Sequence, residues 1–232
     1  MSHVLTLYHG SPDIVRLPIF GKGNPHNDYG QGFYCTQSLA MAQEWGCVEG
    51  HDGFANQYEF DIEGLNVLNL SDSNYNILNW LAILLDNREV RLASGLPKQA
   101  GEYLMRHFLP EYRSFDVIRG YRADDSYFAF ASAFLSGSIS LDQLRCAMTL
   151  GELDEQIVAI SADAFSRFMF VNAIPAQGAV FYQRKETRNL HAKRAYQEQR
   201  SAQPAADTLY AIDMLREGWT NDSPCLRHPV SR

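Results

Sequence analysis

The sequence lacks the usual frameworks of small metal-bound or disulfide-stapled proteins. Its four cysteines are scattered, at positions 35, 47, 146 and 225. None forms a Cys-x-x-Cys pair, so neither a zinc site nor a disulfide framework is indicated. Isolated thiols of this kind fit a reducing cytosol. An excess of positive charge is also missing. The net charge is −7, which argues against a general electrostatic grip on nucleic acid. The one local basic cluster, Gln183–Arg194, reads as the solvated face of a helix. Long apolar runs are absent too. The longest, Trp80–Leu85, falls far short of the roughly 20 residues that cross a bilayer. No basic stretch followed by an apolar run opens the sequence. The expectation is therefore a cytoplasmic protein with no membrane partner and no metal.

What is present is a globular composition, with 46% hydrophobic and 20% charged residues, enough apolar material for a sizeable core. The periodicity predicts short strands interleaved irregularly with helices. Strands are expected at 4–8, 57–61, 65–70, 116–119, 155–160 and 178–182. Helices are expected at 38–48, 76–88, 97–108, 126–136, 140–148, 162–170 and 208–217. Residues 12–27, with Pro12, Pro18 and Pro25, read as a long loop. The helices 76–88 and 97–108 look like an inserted helical layer. Without regular strand–helix–strand alternation the fold class is α+β rather than doubly wound. Residues 1–182 read as the main domain. Residues 183–232 read as a helical extension ending, from Gly218, in a loose tail.

Two motifs carry the chemistry. Leu7-Tyr8-His9-Gly10-Ser11 closes the first strand, and Asp28-Tyr29-Gly30-Gln31-Gly32-Phe33-Tyr34-Cys35-Thr36 leads into the first helix. Gly10 allows close backbone approach, and an aromatic face can stack on a ring.

The joint pattern resembles the ADP-ribosyltransferase superfamily, in the His-Tyr-Glu-like branch that includes diphtheria-type toxins and poly(ADP-ribose) polymerases. It is similar in particular to a bacterial subfamily with a Leu-Tyr-His-Gly-Ser strand and an Asp-Phe-Gly-x-Gly-Phe-Tyr-x-Thr motif. The likeness is strongest over residues 4–45 and extends weakly to about 182. It implies a split, curved sheet with flanking helices, and NAD as substrate. By the resemblance, His9 would hydrogen-bond a ribose hydroxyl, Gly10 would exchange hydrogen bonds with the carboxamide, and Tyr34 would stack on the nicotinamide. Ser11, Gly32 and Phe33 would complete the cofactor-binding set.

The third signature residue of that branch is a glutamate at the start of a later strand, whose carboxylate favours a cationic transition state. Here the matching strand is Glu155–Ile160. Gln156 takes the position first, Glu155 second and Asp154 third. In a regular strand Glu155 and Gln156 point to opposite faces, so one residue of register decides between an amide and a carboxylate. Asp124 and Asp125, just before the helix at 126–136, either cap that helix or face the cleft and orient substrate.

The activity implied is mono-ADP-ribosylation of a protein or nucleic acid, as an intracellular bacterial or phage toxin or defence effector, with an antitoxin or immunity protein as a possible partner. The same residues would also suit NAD hydrolysis, or a silent module that binds NAD, ADP-ribose or a protein.

Overall fold

A computed structural model describes residues 3–88, 92–122, 125–149, 155–201 and 208–226. Its strands are β1 (Val4–Ser11), β2 (Phe33–Cys35), β3 (Gly53–Asp61), β4 (Val67–Asn69), β5 (Val117–Gly120), β6 (Gln156–Ala159) and β7 (Phe168–Ala176). They form two sheets. One has the order β1-β3-β7 and is antiparallel. The other has the order β2-β6-β5-β4, in which only the β4/β5 pair is parallel. The sheets meet at a single antiparallel bridge between Tyr8 and Thr36, whose backbone groups exchange bonds of 2.8 and 2.9 Å. Regular pairing between β1 and β2 goes no further. The α+β class is as expected.

Helix α1 (Leu39–Gly46) follows β2 directly. It starts at Ser38, whose hydroxyl accepts the Met41 N–H at 3.3 Å and so satisfies one of the open donors of the first turn. Two helical pairs are inserted into the second sheet. Helices α2 (Ile77–Asn87) and α3 (Leu96–His107) lie between β4 and β5, and α4 (Asp125–Leu135) and α5 (Leu141–Thr149) between β5 and β6. Together with Ile118 and Val158 they enclose the larger core, around Trp80, Leu104 and Phe134. A smaller core of Leu7, Phe33, Tyr58, Phe60, Ile157 and Phe168 fills the space between the two sheets.

The structure corrects several expectations. The segment 162–170 is only helical in α6 (Ala162–Ser166); Phe168 onward is β7, paired with β3. Ser161 caps the short helix as its sequence suggests, but pairing with β3 then wins over helix continuation. Pro175 is tolerated in β7 because that strand lies at the sheet edge. Residues 178–182 are not a strand but the first turns of α7 (Gly178–Ser201). Their start is fixed by a distant group: the Asp52 carboxylate accepts the Gly178 N–H at 2.8 Å. The boundary at 182/183 therefore falls inside a helix.

A helix stands within 208–217 as expected, but the described residues from Gly218 are not a loose tail. Helix α8 (Ala211–Glu217) buries Ala211 and Met214 in the larger core. Trp219 is also buried there, and its carbonyl accepts the Tyr103 hydroxyl at 2.9 Å. Among the described residues no helix is long and apolar enough to cross a membrane.

Candidate functional site

Where β1 and β2 part beyond the Tyr8–Thr36 bridge, a cavity of about 480 Å³ opens. Its walls include His9 and Gly10 from β1, Gly32, Phe33 and Tyr34 from β2 and its approach, and Gln156 from β6. Two separate sequence motifs and a strand more than a hundred residues away thus meet in one place.

The histidine is held in a defined form. Its Nδ1 lies 2.7 Å from the Tyr34 carbonyl oxygen, which can only accept, so Nδ1 carries the proton. In the neutral ring Nε2 is then an acceptor. Burial pushes the His9 pKa down, with the bond to Tyr34 opposing in part, so the neutral form is favoured. The ring also packs on Phe33, centroid to centroid 4.4 Å. A lowered folded-state pKa means that the unfolded chain binds more protons just below the ordinary histidine value of 6.5. Stability from this group is therefore present at neutral pH and lost as pH falls below that value. Thermal unfolding followed from neutral to mildly acidic pH should show a smaller acid-induced loss in His9→Gln than in the wild type.

Tyr34 is fixed through its hydroxyl, which donates to the Gly30 carbonyl at 2.7 Å and accepts the Tyr29 N–H at 3.0 Å. Gly30 has a positive φ of 77° that a side chain would strain. The loop at 28–30 is clamped in turn by the end of α2. Arg88 donates to Asp28 Oδ1 from Nε at 2.7 Å and from Nη2 at 2.5 Å. Asp28 is buried. Asp28→Ala removes a close partner of a cation in the cleft wall, and a loss of about 3 kcal/mol or somewhat less is expected, since Arg88 keeps some solvent contact. Urea unfolding measures it.

Gly10 serves a packing purpose in addition to lining the cavity. A Cβ there would run into the Ala42 carbonyl, and would come within 2.7 Å of the Gly46 nitrogen. The missing side chain lets α1 pack on β1, while the backbone still lines the cavity. Gly10→Ala should destabilise the fold by about 1–3 kcal/mol, because the obstacle is backbone and cannot rotate away. Chemical denaturation with NAD absent isolates this effect. Gly32 is similarly restricted, by Val158 and Ala159 of β6.

At the third position the register is clear. Gln156 pairs with Gly120, lines the cavity and is 6% exposed. Its Oε1 is buried and finds no hydrogen-bond partner among the described residues. Glu155 instead accepts from Arg119 at 2.8 Å and from the Ser71 hydroxyl at 2.8 Å, and does not line the cavity. Asp154 and Asp124 lie outside the described residues. Asp125 opens α4. The Ser11 hydroxyl accepts the Asp13 N–H at 3.2 Å, and Ser11 is not among the residues of the cavity wall.

The chain belongs to the family described as a protein of unknown function, DUF3990. The family model matches residues 5–170. No curated protein and no solved structure matches the chain. For this DUF3990 member, the matched span runs from β1 into β7 and contains every cavity residue named above, while α7 and α8 lie beyond it.

Sequence motifs missed other residues of the wall. Trp45 of α1 and Phe165 of α6 line the cavity, as do Lys22 and Arg122. The loop 12–27 forms one side. It is docked by Asn56, whose side chain accepts the Val15 N–H at 3.0 Å and donates to the carbonyls of His9 and Asp13. Tyr58 also donates to the Val15 carbonyl. Buried Asn56, between Ala55 and Gln57 in β3, was the one available signal: an amide in a strand interior needs polar partners. Among the described residues no group of three or more His, Cys, Asp or Glu side chains is arranged to hold a metal ion.

Proposed function

We propose that this protein is an NAD-dependent mono-ADP-ribosyltransferase whose NAD site is the cavity between β1 and β2. One observation carries the reading. His9, Gly10, Gly32, Phe33 and Tyr34 of the two motifs and Gln156 of the strand line the same cavity, and the buried Gln156 Oε1 there has no partner in the protein among the described residues. A buried acceptor without a partner costs free energy of about 1–3 kcal/mol, which a ligand hydroxyl would recover.

The residues then have distinct roles. His9 Nε2, held as an acceptor by the Nδ1–Tyr34 bond, receives a ribose hydroxyl. The Tyr34 ring offers a face to the nicotinamide. Gln156 accepts from a second ribose hydroxyl and fixes the ribose for attack. The glycosidic C–N bond breaks with its electron pair leaving on neutral nicotinamide, and the acceptor's lone pair forms the new bond to the anomeric carbon. An amide can hold a hydroxyl but does not offset the positive charge that grows on the ribose. That feature, with Glu155 engaged by Arg119, favours as a second reading a module that binds NAD or ADP-ribose without turnover.

Radiolabelled NAD incubated with the protein and a cell lysate separates these readings. Label on macromolecules is the result expected. Free ADP-ribose would replace transfer by hydrolysis, and unchanged NAD would leave the silent module.

A further inference from the structure

We infer that Asn56 is a positioning residue for this cavity: it keeps the loop 12–27 docked as a wall before any ligand enters, and so adds affinity without touching the ligand. That the ligand is NAD rests on the reading above; the tie itself does not. Asn56 stands in β3 directly across from His9 of β1. It is buried, at 0% exposure, and is not part of the cavity wall. Its side chain joins two parts of that wall. Nδ2 donates to the His9 carbonyl at 3.3 Å and to the Asp13 carbonyl at 3.2 Å, while Oδ1 accepts the Val15 N–H at 3.0 Å. His9 and Val15 both line the cavity. One amide thus links the strand that carries the histidine to the loop beside it.

The loop has little core of its own. Of residues 12–27 only Asp28's neighbour-side Pro18 is fully buried, and Ile14, Leu17, Ile19 and Phe20 are exposed. Two ring contacts add to its hold, Arg16 over Phe170 at 5.3 Å and Phe20 against Phe165 at 5.4 Å. A segment with so little apolar burial opens at low free-energy cost unless polar groups fix it. Val15 is where they do. Asn56 takes its N–H, and the Tyr58 hydroxyl donates to its carbonyl, so side chains of β3 hold both of its backbone groups. The far half of the loop is anchored separately. Gln31 Nε2 donates to the carbonyls of Gly21 at 2.5 Å and Gly23 at 2.9 Å. Leu17, Pro18 and Ile19, which line the cavity, lie between these two anchors.

The chemistry of the tie requires an amide. Two carbonyls need donors and one N–H needs an acceptor, and a carboxylate of the same shape supplies only the acceptor. When a binding-competent state is only partly populated, the apparent affinity falls by that fraction. Docking the loop in advance removes this loss, and loosening Asn56 should restore it.

The test sets two measurements on the full chain side by side. Trypsin nicking after Arg16 and Lys22, read by mass spectrometry against the rate on a free peptide of residues 12–27, gives the fraction of molecules with the loop open. Calorimetry gives the NAD affinity. Asn56→Asp is expected to lower the docked fraction about tenfold and to weaken NAD by the same factor. Saturating NAD should slow nicking again, because binding re-docks the loop. Tyr58→Phe removes the other tie to Val15 and should give smaller effects with the same equality. Ile139→Val, in the larger core, lowers the melting temperature and should change neither quantity. Should Asn56→Asp not fold, Asn56→Ser, which brings no charge, takes its place.

The outcomes separate the two ideas. A loop as well protected in the Asn56 variant as in the wild type overturns the positioning role and leaves the NAD reading standing. An opened loop with NAD bound at wild-type strength overturns it too, since the docked wall would then add nothing to affinity. A wild type that binds no NAD removes the NAD reading. Nicking alone then decides the tie: release of the loop in the Asn56 variant keeps it, and protection overturns it.

Discussion

Tyr34→Ala is expected to weaken NAD binding by about 1–3 kcal/mol, the scale for losing an aromatic platform under a flat ring. The size of the effect follows from how the ring is prepared. Its hydroxyl is held by Gly30 and Tyr29 before any ligand arrives, so little side-chain entropy remains to be lost on binding. Burial raises the phenol pKa far above its ordinary range. The proton that bonds Gly30 therefore stays in place at any workable pH. Tyr34→Phe separates face from anchor. It keeps the ring but removes both hydrogen bonds, leaving the Tyr29 N–H without its partner. A smaller loss of affinity and a lowered melting temperature are expected from it. His9→Ala should also weaken binding, through a lost ribose contact. Calorimetry with NAD on folded variants checks all three. Wild-type affinity in both alanine variants would remove this cavity from consideration.

The parts of this site that were legible in the sequence are those set by local chemistry. A strand ending in His9-Gly10 and a glycine-flanked Phe33-Tyr34 announce themselves within a few residues, and period-two alternation separates Glu155 from Gln156. The helices α2, α3 and α5 were legible for the same reason, since their apolar spacing and first-turn residues are local. What was not legible depends on partners far away in the chain. Gly178–Tyr182 has the composition of a strand and becomes a helix start because Asp52 supplies its cap. Phe168–Ala176 continues a helical pattern in sequence and becomes a strand because β3 offers an edge. Trp219 follows Gly218 in a stretch that reads as a loose tail, yet it is buried in the larger core and its carbonyl is held by Tyr103 of α3. In the site itself, Arg122 lay in a stretch noticed for its aspartates, and only the fold brings Trp45 beneath it. Gly10 was noticed for close approach, and one group that approaches it closely is α1.

Gln156→Ala is expected to lower NAD turnover more than about tenfold without unfolding the domain. Among the described residues the side chain makes no hydrogen bond through Oε1 to lose, so on the proposed reading truncation removes a ligand contact rather than a structural one. Gln156→Glu is the sharper substitution. On the proposed NAD reading it would place a carboxylate beside the anomeric carbon, where charge favours the oxocarbenium-like state, and NAD cleavage should be preserved or raised. The site is buried, 6% exposed, and desolvation raises the pKa of a carboxyl group. The charged form that helps catalysis is therefore the one the fold resists. Cleavage by this variant should increase with pH through the raised pKa. Its stability should run the opposite way, complete below the unfolded carboxyl pKa and falling as pH rises through the folded one. Opposite trends in activity and melting temperature over the same pH window are a signature that a general loss of folding would not give. Glu155→Gln is the control. It breaks the contact with Arg119 on the far face and should leave cleavage nearly unchanged. Activity lost in Glu155→Gln and kept in Gln156→Ala would place the carboxylate, and not the amide, against the ribose.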